Sequence, residues 1–122
     1  MKYIYTVIFD DAKEFAEEGI NVVAPDIFGG VTCGDNYDDA VFMAKDLIKI
    51  MLEDAPNQCQ KPTPYERMKE LFPDRRLVVI EVEVEKEVEF GLDKFFYLYR
   101  LNQPLFFSHI HLLLKKLHPW VY

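Results

Sequence analysis

APDIFGGVTCGDNYDDA, residues 24 to 40, is the stretch on which the fold turns. Pro25 and Asp26 close an apolar run, because proline cannot donate to a strand ladder. Gly29 and Gly30 on one side, and Gly34, Asp35 and Asn36 on the other, bracket the short apolar run VTC. Glycine there supplies backbone angles that other residues adopt only with strain. A helix then begins. Asn36 is a good N-cap, Asp39 stands at the third helical position as in a capping box, and Asp38 and Asp39 favour the positive end of the helix dipole. A phosphate-cradling loop needs G-x-G-x-x-G or G-x-x-x-x-G-K-[ST], and neither spacing occurs here. The glycines therefore read as turns.

Working outward, INVVAPD upstream is a strand, and KYIYTVIF at residues 2 to 9 is a strand apolar on both faces. DDAKEFAEEG between them is a polar connection with room for a helical turn. Three short strands between turns predict an antiparallel meander. Downstream, Tyr37, Ala40, Val41, Ala44, Leu47, Ile48, Met51 and Leu52 recur at helical spacing, which predicts one main helix over about residues 36 to 54. Its Ala40, Ala44, Leu47, Ile48 and Met51 face is expected on the sheet, with Lys45, Asp46, Lys49 and Glu53 in solvent. A proline-rich loop follows, with one helical turn predicted at Tyr65 to Leu71. LVVIEVEVEKEVEF is the strongest strand signal: Val78, Ile80, Val82 and Val84 lie on one face and Glu81, Glu83 and Glu85 on the other. This is a fourth strand, over about residues 76 to 86. The order is β-β-β-α-β and the class α+β.

Composition limits the function. The 122 residues are half apolar and 29% charged, which suits one globular domain. The net charge of −7 argues against a general nucleic-acid binder and suits a basic partner. The charge is uneven. Residues 91 to 122 hold Asp93 against Lys94, Arg100, Lys115 and Lys116, a net +3, which leaves −10 for residues 1 to 90. The same tail holds eight of the 18 aromatic residues and all three histidines. The chain is accordingly divided into a domain at residues 1 to 86 and an aromatic, weakly basic, helical tail at residues 87 to 122. The apolar residues of that tail predict a homodimer or larger assembly. No apolar run suits a signal peptide or a membrane span, and two cysteines without metal-ligand spacing suit a reducing compartment, so the cytoplasm is expected.

No catalytic set converges. Two-metal nuclease chemistry would need carboxylates from the middle of the first strand, the helix and the fourth strand. The first strand offers Tyr5, Thr6 and Val7 at its middle, Asp10 and Asp11 lie at its far end, and Asp46 falls on the solvent side of the helix. His109 and His111, two apart, do not share a helix face. No catalytic residue, metal or cofactor is expected. The glutamate ladder of Glu81, Glu83 and Glu85 reads either as a solvated face or as a surface for a basic partner.

The ordered set Val22, Pro25, Asp26, Gly29 or Gly30, Thr32, Gly34, Asp35, then Ala40, Ala44, Lys45 and Asp46, with the KPTP loop and valine-rich strand beyond, resembles the HicB antitoxin family of bacterial type II toxin–antitoxin systems. The resemblance covers about residues 1 to 86. It implies a partial ribonuclease-H-like sheet and a non-enzymatic role, the neutralisation of HicA, a small basic mRNA-cleaving toxin. Pro25, Asp26, Gly30, Thr32, Gly34, Asp35 and Asn36 are its turn and cap residues, and the resemblance favours reading Glu81, Glu83 and Glu85 as a surface that would face the basic toxin, without itself identifying toxin contacts. Members usually end in a DNA-binding helix-turn-helix or ribbon-helix-helix. Residues 91 to 122 match neither, so nucleic-acid binding is not expected. Two other functions stay open: a structural, homo-oligomerising remnant of a decayed operon, and a DNA-binding autorepressor.

Overall fold

The structure, a computed structural model, describes residues 1 to 11 and 19 to 91. Its elements are β1 (Lys2–Asp11), β2 (Ile20–Val23), β3 (Val31–Gly34), α1 (Tyr37–Asp54), a 3₁₀ turn (Pro56–Gln58), α2 (Tyr65–Leu71) and β4 (Arg76–Glu83). The strands form one sheet in the order β3-β2-β1-β4, antiparallel throughout. This is the expected α+β architecture: a meander, one main helix, a short second helix and a returning strand. The helical turn expected within residues 10 to 19 lies outside the described residues; of the tail expected to be helical over residues 87 to 122, residues 87 to 91 are described and form no helix, and the rest lies outside.

Strand position follows from how many faces are apolar. In β1 the five residues Tyr5 to Phe9 are all buried, so it stands inside the sheet. β4 buries only alternate residues, Val78, Ile80 and Val82, and stands at an edge. Helix α1 lies over the face carrying Tyr5, Val7 and Phe9. It buries Ala40, Ala44, Ile48 and Leu52, a stripe four residues apart. Leu47 and Met51, expected in this stripe, are half-buried at its border, and Tyr37 is exposed. The small side chains of the first turns have a geometric cause. A side chain on Gly34 would stand 2.6 Å from the Ala40 Cα, so β3 and the helix meet at a separation only glycine allows.

The capping reading holds with a shift of one residue. The Asn36 side chain accepts from the Asp39 amide at 2.9 Å, while the Asp39 carboxylate accepts from the Asp35 amide at 2.8 Å, one position before the cap. Beyond the helix, Ala55 donates to Met51 O and Pro56 begins the 3₁₀ turn, which ends α1 where the sequence expects.

Asp26 was read as a turn residue and proves to be wholly buried. Its carboxylate accepts from the Thr63 amide at 2.8 Å, the Thr63 hydroxyl at 2.7 Å and the Gln60 side-chain amide. Main-chain bonds run beside it, Gln60 N to Asp26 O at 3.0 Å and Phe28 N to Gln58 O at 2.8 Å, and the Tyr5 hydroxyl donates to Gln60 O at 2.9 Å. The β2–β3 turn, the loop after α1 and the central strand are thereby joined at one point. The turn itself closes through Ala24 N to Gly30 O at 2.7 Å, with Gly29 at φ +75° supplying the one left-handed residue.

After β4 the chain continues across the open end of the core. Val88 N donates to the Tyr3 hydroxyl at 2.9 Å, Phe90 meets Tyr3 edge to face at 5.7 Å, and Gly91 N donates to Pro56 O at 3.2 Å. Val88 and Phe90 are half-buried against the core. Residues 84 to 91 thus form a strap that closes the space between β1 and the end of α1.

Three outcomes follow for stability. Asp26→Ala leaves the Thr63 amide, the Thr63 hydroxyl and the Gln60 amide without this acceptor, at a cost on the order of 3 kcal/mol or more in urea unfolding. Asp26→Asn should cost less, because Gln60 can turn its amide over and use Oε1, which is buried without a hydrogen bond, to accept from the new NH2. Equal costs would refute this account. Ile48→Ala should cost about 3 kcal/mol, and Leu47→Ala, at the border, roughly 1 kcal/mol. Cys59 is fully buried, and burial pushes its thiol from 9.0 up to about 11. The stability tied to that thiol is intact below pH 9 and lost as the pH rises through 11. In a Cys33→Ser variant at pH 8, thiol labelling of Cys59 should run no faster than unfolding.

Candidate functional site

The family-pattern residues spend their chemistry inside the domain. Pro25, Asp26, Gly30 and Gly34 are buried, and Thr32 is half-buried on β3 opposite Val22. Asp35 and Asn36 are exposed, yet both serve the start of α1. Most of the seven act as turn, cap or buried positions, whereas the charged edge of the sheet offers a candidate functional surface.

The acidic ladder is such a surface. Glu81 and Glu83 project from β4 on the face opposite α1 and stand beside Ile4 and Lys2 of β1. Ile4 and Val79, at 55% and 52% exposure, set an apolar patch next to the two carboxylates. Glu85 is exposed too, but lies beyond the end of β4, in the strap.

The three glutamates divide between two adjoining surfaces. Glu81 and Glu83 line the outer face of the sheet, while Glu83 and Glu85 also line a cleft of about 1040 Å³ between the last turns of α1 and the strap. Glu53 enters this cleft from the helix, and Glu87 and Glu89 from the strap. Five glutamates thus line the cleft with two lysines, Lys49 and Lys86, and the Met1 amine, which donates to Val84 O at 2.8 Å. Glu53 and Asp54 lie in the last turn of α1, where no basic residue stands and where the helix dipole disfavours negative charge. Among the described residues the ion pairs are Arg67–Glu70 and Arg75–Asp10, both away from the cleft. A cation entering here would meet a net negative field.

Sequence reasoning found Glu81, Glu83 and Glu85 through their alternation. It missed Glu53 and Glu89 as members of the same site. Glu53 looks like an ordinary solvent-side helix residue, and only the path of the strap brings it opposite Glu85 and Glu87.

The described residues hold no group of three His, Cys, Asp or Glu side chains placed for a metal ion. Cys33 and Cys59 are free, buried thiols. The Tyr5 hydroxyl is driven well above its ordinary range, first by burial and then by the nearby Cys59, Asp26 and Tyr3, and stays a hydrogen-bond donor. The histidines lie outside the described residues. Among those residues no helix is long and apolar enough to cross a membrane. What the site offers is charge, an apolar patch and an open strand edge, which are means of binding.

No protein-family model and no curated protein matches the chain. Among solved structures, a chain of a "Toxin-Antitoxin complex from Streptococcus pneumoniae" has a similar fold. The TM-score is 0.53 at 15% sequence identity, and the superposition covers 95% of this chain and 99% of that one.

Proposed function

We propose that the chain is a non-catalytic, antitoxin-type binding protein that neutralises a small basic ribonuclease toxin of the HicA kind. The observation that carries this reading is the gathering of carboxylates around β4. Glu81, Glu83 and Glu85, joined by Glu53, Glu87 and Glu89, stand together in no ion pair among the described residues. Within the domain that arrangement is unfavourable to stability, since like charges repel and Glu53 also opposes its helix dipole. The fold of a chain from a toxin–antitoxin complex supports the same reading, as does the HicB-like order of Pro25, Asp26, Gly30, Thr32, Gly34 and Asp35. Self-association belongs to the proposal as a property of residues beyond the described ones.

The mechanism is occlusion. A toxin that cleaves RNA presents a basic surface to the phosphate backbone, and an acidic counter-surface seated on it displaces RNA. Opposite charge acts mainly on the rate of encounter, while the Ile4 and Val79 patch supplies short-range contact.

Co-expression with a small basic protein from the neighbouring gene provides the test. The expected outcome is growth rescue and a co-purifying complex, with association slowing as ionic strength passes about 0.1 M, where the screening length is about 10 Å. Changing Glu83 and Glu85 to lysine should slow association about tenfold or more. Full rescue by that variant would exclude the acidic surface. A stable homo-oligomer that binds no basic protein would favour the structural remnant instead.

A further inference from the structure

We infer that the partner is held by strand addition: an extended basic segment joins the open edge of β4 as a fifth strand of the sheet. The inference rests on the antitoxin-type reading above and specifies how that partner docks.

The hydrogen-bond phase of β4 carries the argument. Met1 and Val84 exchange both backbone bonds, Met1 N to Val84 O at 2.8 Å and Val84 N to Met1 O at 2.9 Å. In an antiparallel ladder such pairs alternate with pairs that exchange none. Continuing the register through Tyr3↔Val82, Tyr5↔Ile80 and Val7↔Val78 turns the amides and carbonyls of those β4 residues towards β1. The amides and carbonyls of Leu77, Val79, Glu81 and Glu83 therefore point away from the sheet, and among the described residues β4 has a strand partner on one side only. The edge is eight residues long and contains no proline, a device that commonly blunts an edge; its charges are Arg76, Glu81 and Glu83.

The same four residues carry the side chains of the outer face. Backbone docking and side-chain reading thus fall on one set of positions. An antiparallel incoming strand would place its directly paired side chains beside those of Glu83, Glu81, Val79 and Leu77, in that order along its own direction. Charge and polarity then specify the occupant: Lys or Arg, any residue, Lys or Arg, any residue, apolar, any residue, apolar. Strand addition draws affinity from the main chain and specificity from alternate side chains. The two glutamates also favour a foreign basic strand over a second copy, because residues 1 to 90 of each copy carry −10.

Amide hydrogen exchange resolved by residue tests the inference on the full chain. The probe is an acetylated, amidated heptapeptide reading arginine-threonine-arginine-threonine-valine-threonine-valine, with a control in which both arginines are glutamate. The expected result is slowing of exchange by about tenfold or more at Val79, Glu81 and Glu83, with little change at Val78, Ile80 and Val82, whose amides are already bonded. Glu81→Pro removes one outward donor and should abolish the protection, while circular dichroism and urea unfolding report that the domain stays folded. Peptide binding that leaves those three amides unprotected overturns strand addition, as does an absence of binding at millimolar peptide. Protection of the same amides without peptide, rising with protein concentration, overturns it in favour of edge-to-edge pairing of two copies. If the co-purified basic protein leaves the three amides unprotected, strand addition fails while the antitoxin-type reading stands. If no basic protein is captured at all, that reading fails on its own.

Discussion

Everything around the sheet depends on one buried carboxylate. Asp26 is removed from water completely, at a large cost unless hydrogen bonds replace the lost hydration. Thr63 supplies two of those bonds and Gln60 a third, from a loop that precedes α2. The carboxylate therefore selects one conformation for two irregular segments that share no regular ladder. It also sets where the chain stands when it leaves the loop for α2 and β4. Gln60 passes the constraint to the central strand through the Tyr5 hydroxyl. A hydroxyl whose proton is held tightly by burial suits that task, because it remains a donor across the usual pH range.

Features governed by neighbours in sequence were readable in advance. The alternation of β4, the end of α1 before Pro56, the Asn36 cap and the turn of helix at Tyr65 to Leu71 each follow from residues a few positions apart. The role of Asp26 was not, because its partners lie 34 and 37 residues away and no periodicity links them. The border status of Leu47 escaped for a related reason. Helical spacing shows that Leu47 and Ile48 lie near one face, but only the line on which α1 crosses the sheet decides which one is sealed. Gly34 and Ala40 fix that line at one end.

The candidate site shows the same division. Glu81, Glu83 and Glu85 announce themselves as a ladder, while Glu53 joins them only in three dimensions. The residues of the family pattern and the residues of the acidic surface are also separate sets. The first group makes turns, a cap and a buried hub, and the second makes no contact that the fold requires. Surface charge here is free to change without disturbing the architecture.

The closure of the sheet has a consequence for how the chain is made. Met1 bonds to Val84 across 83 positions of sequence, and the whole of β1 pairs with the strand that ends just before that point. Meander and helix can form from nearby segments, but the pairing that completes the sheet is non-local and carries a large loop-closure entropy. During synthesis the apolar flank of β1 has no β4 to cover it until almost the whole domain has left the ribosome. A nascent chain interrupted before that point displays an unpaired strand, the kind of surface that invites aggregation and chaperone capture. The free edge that β4 presents thus arrives as the final act of folding, together with the domain's own integrity.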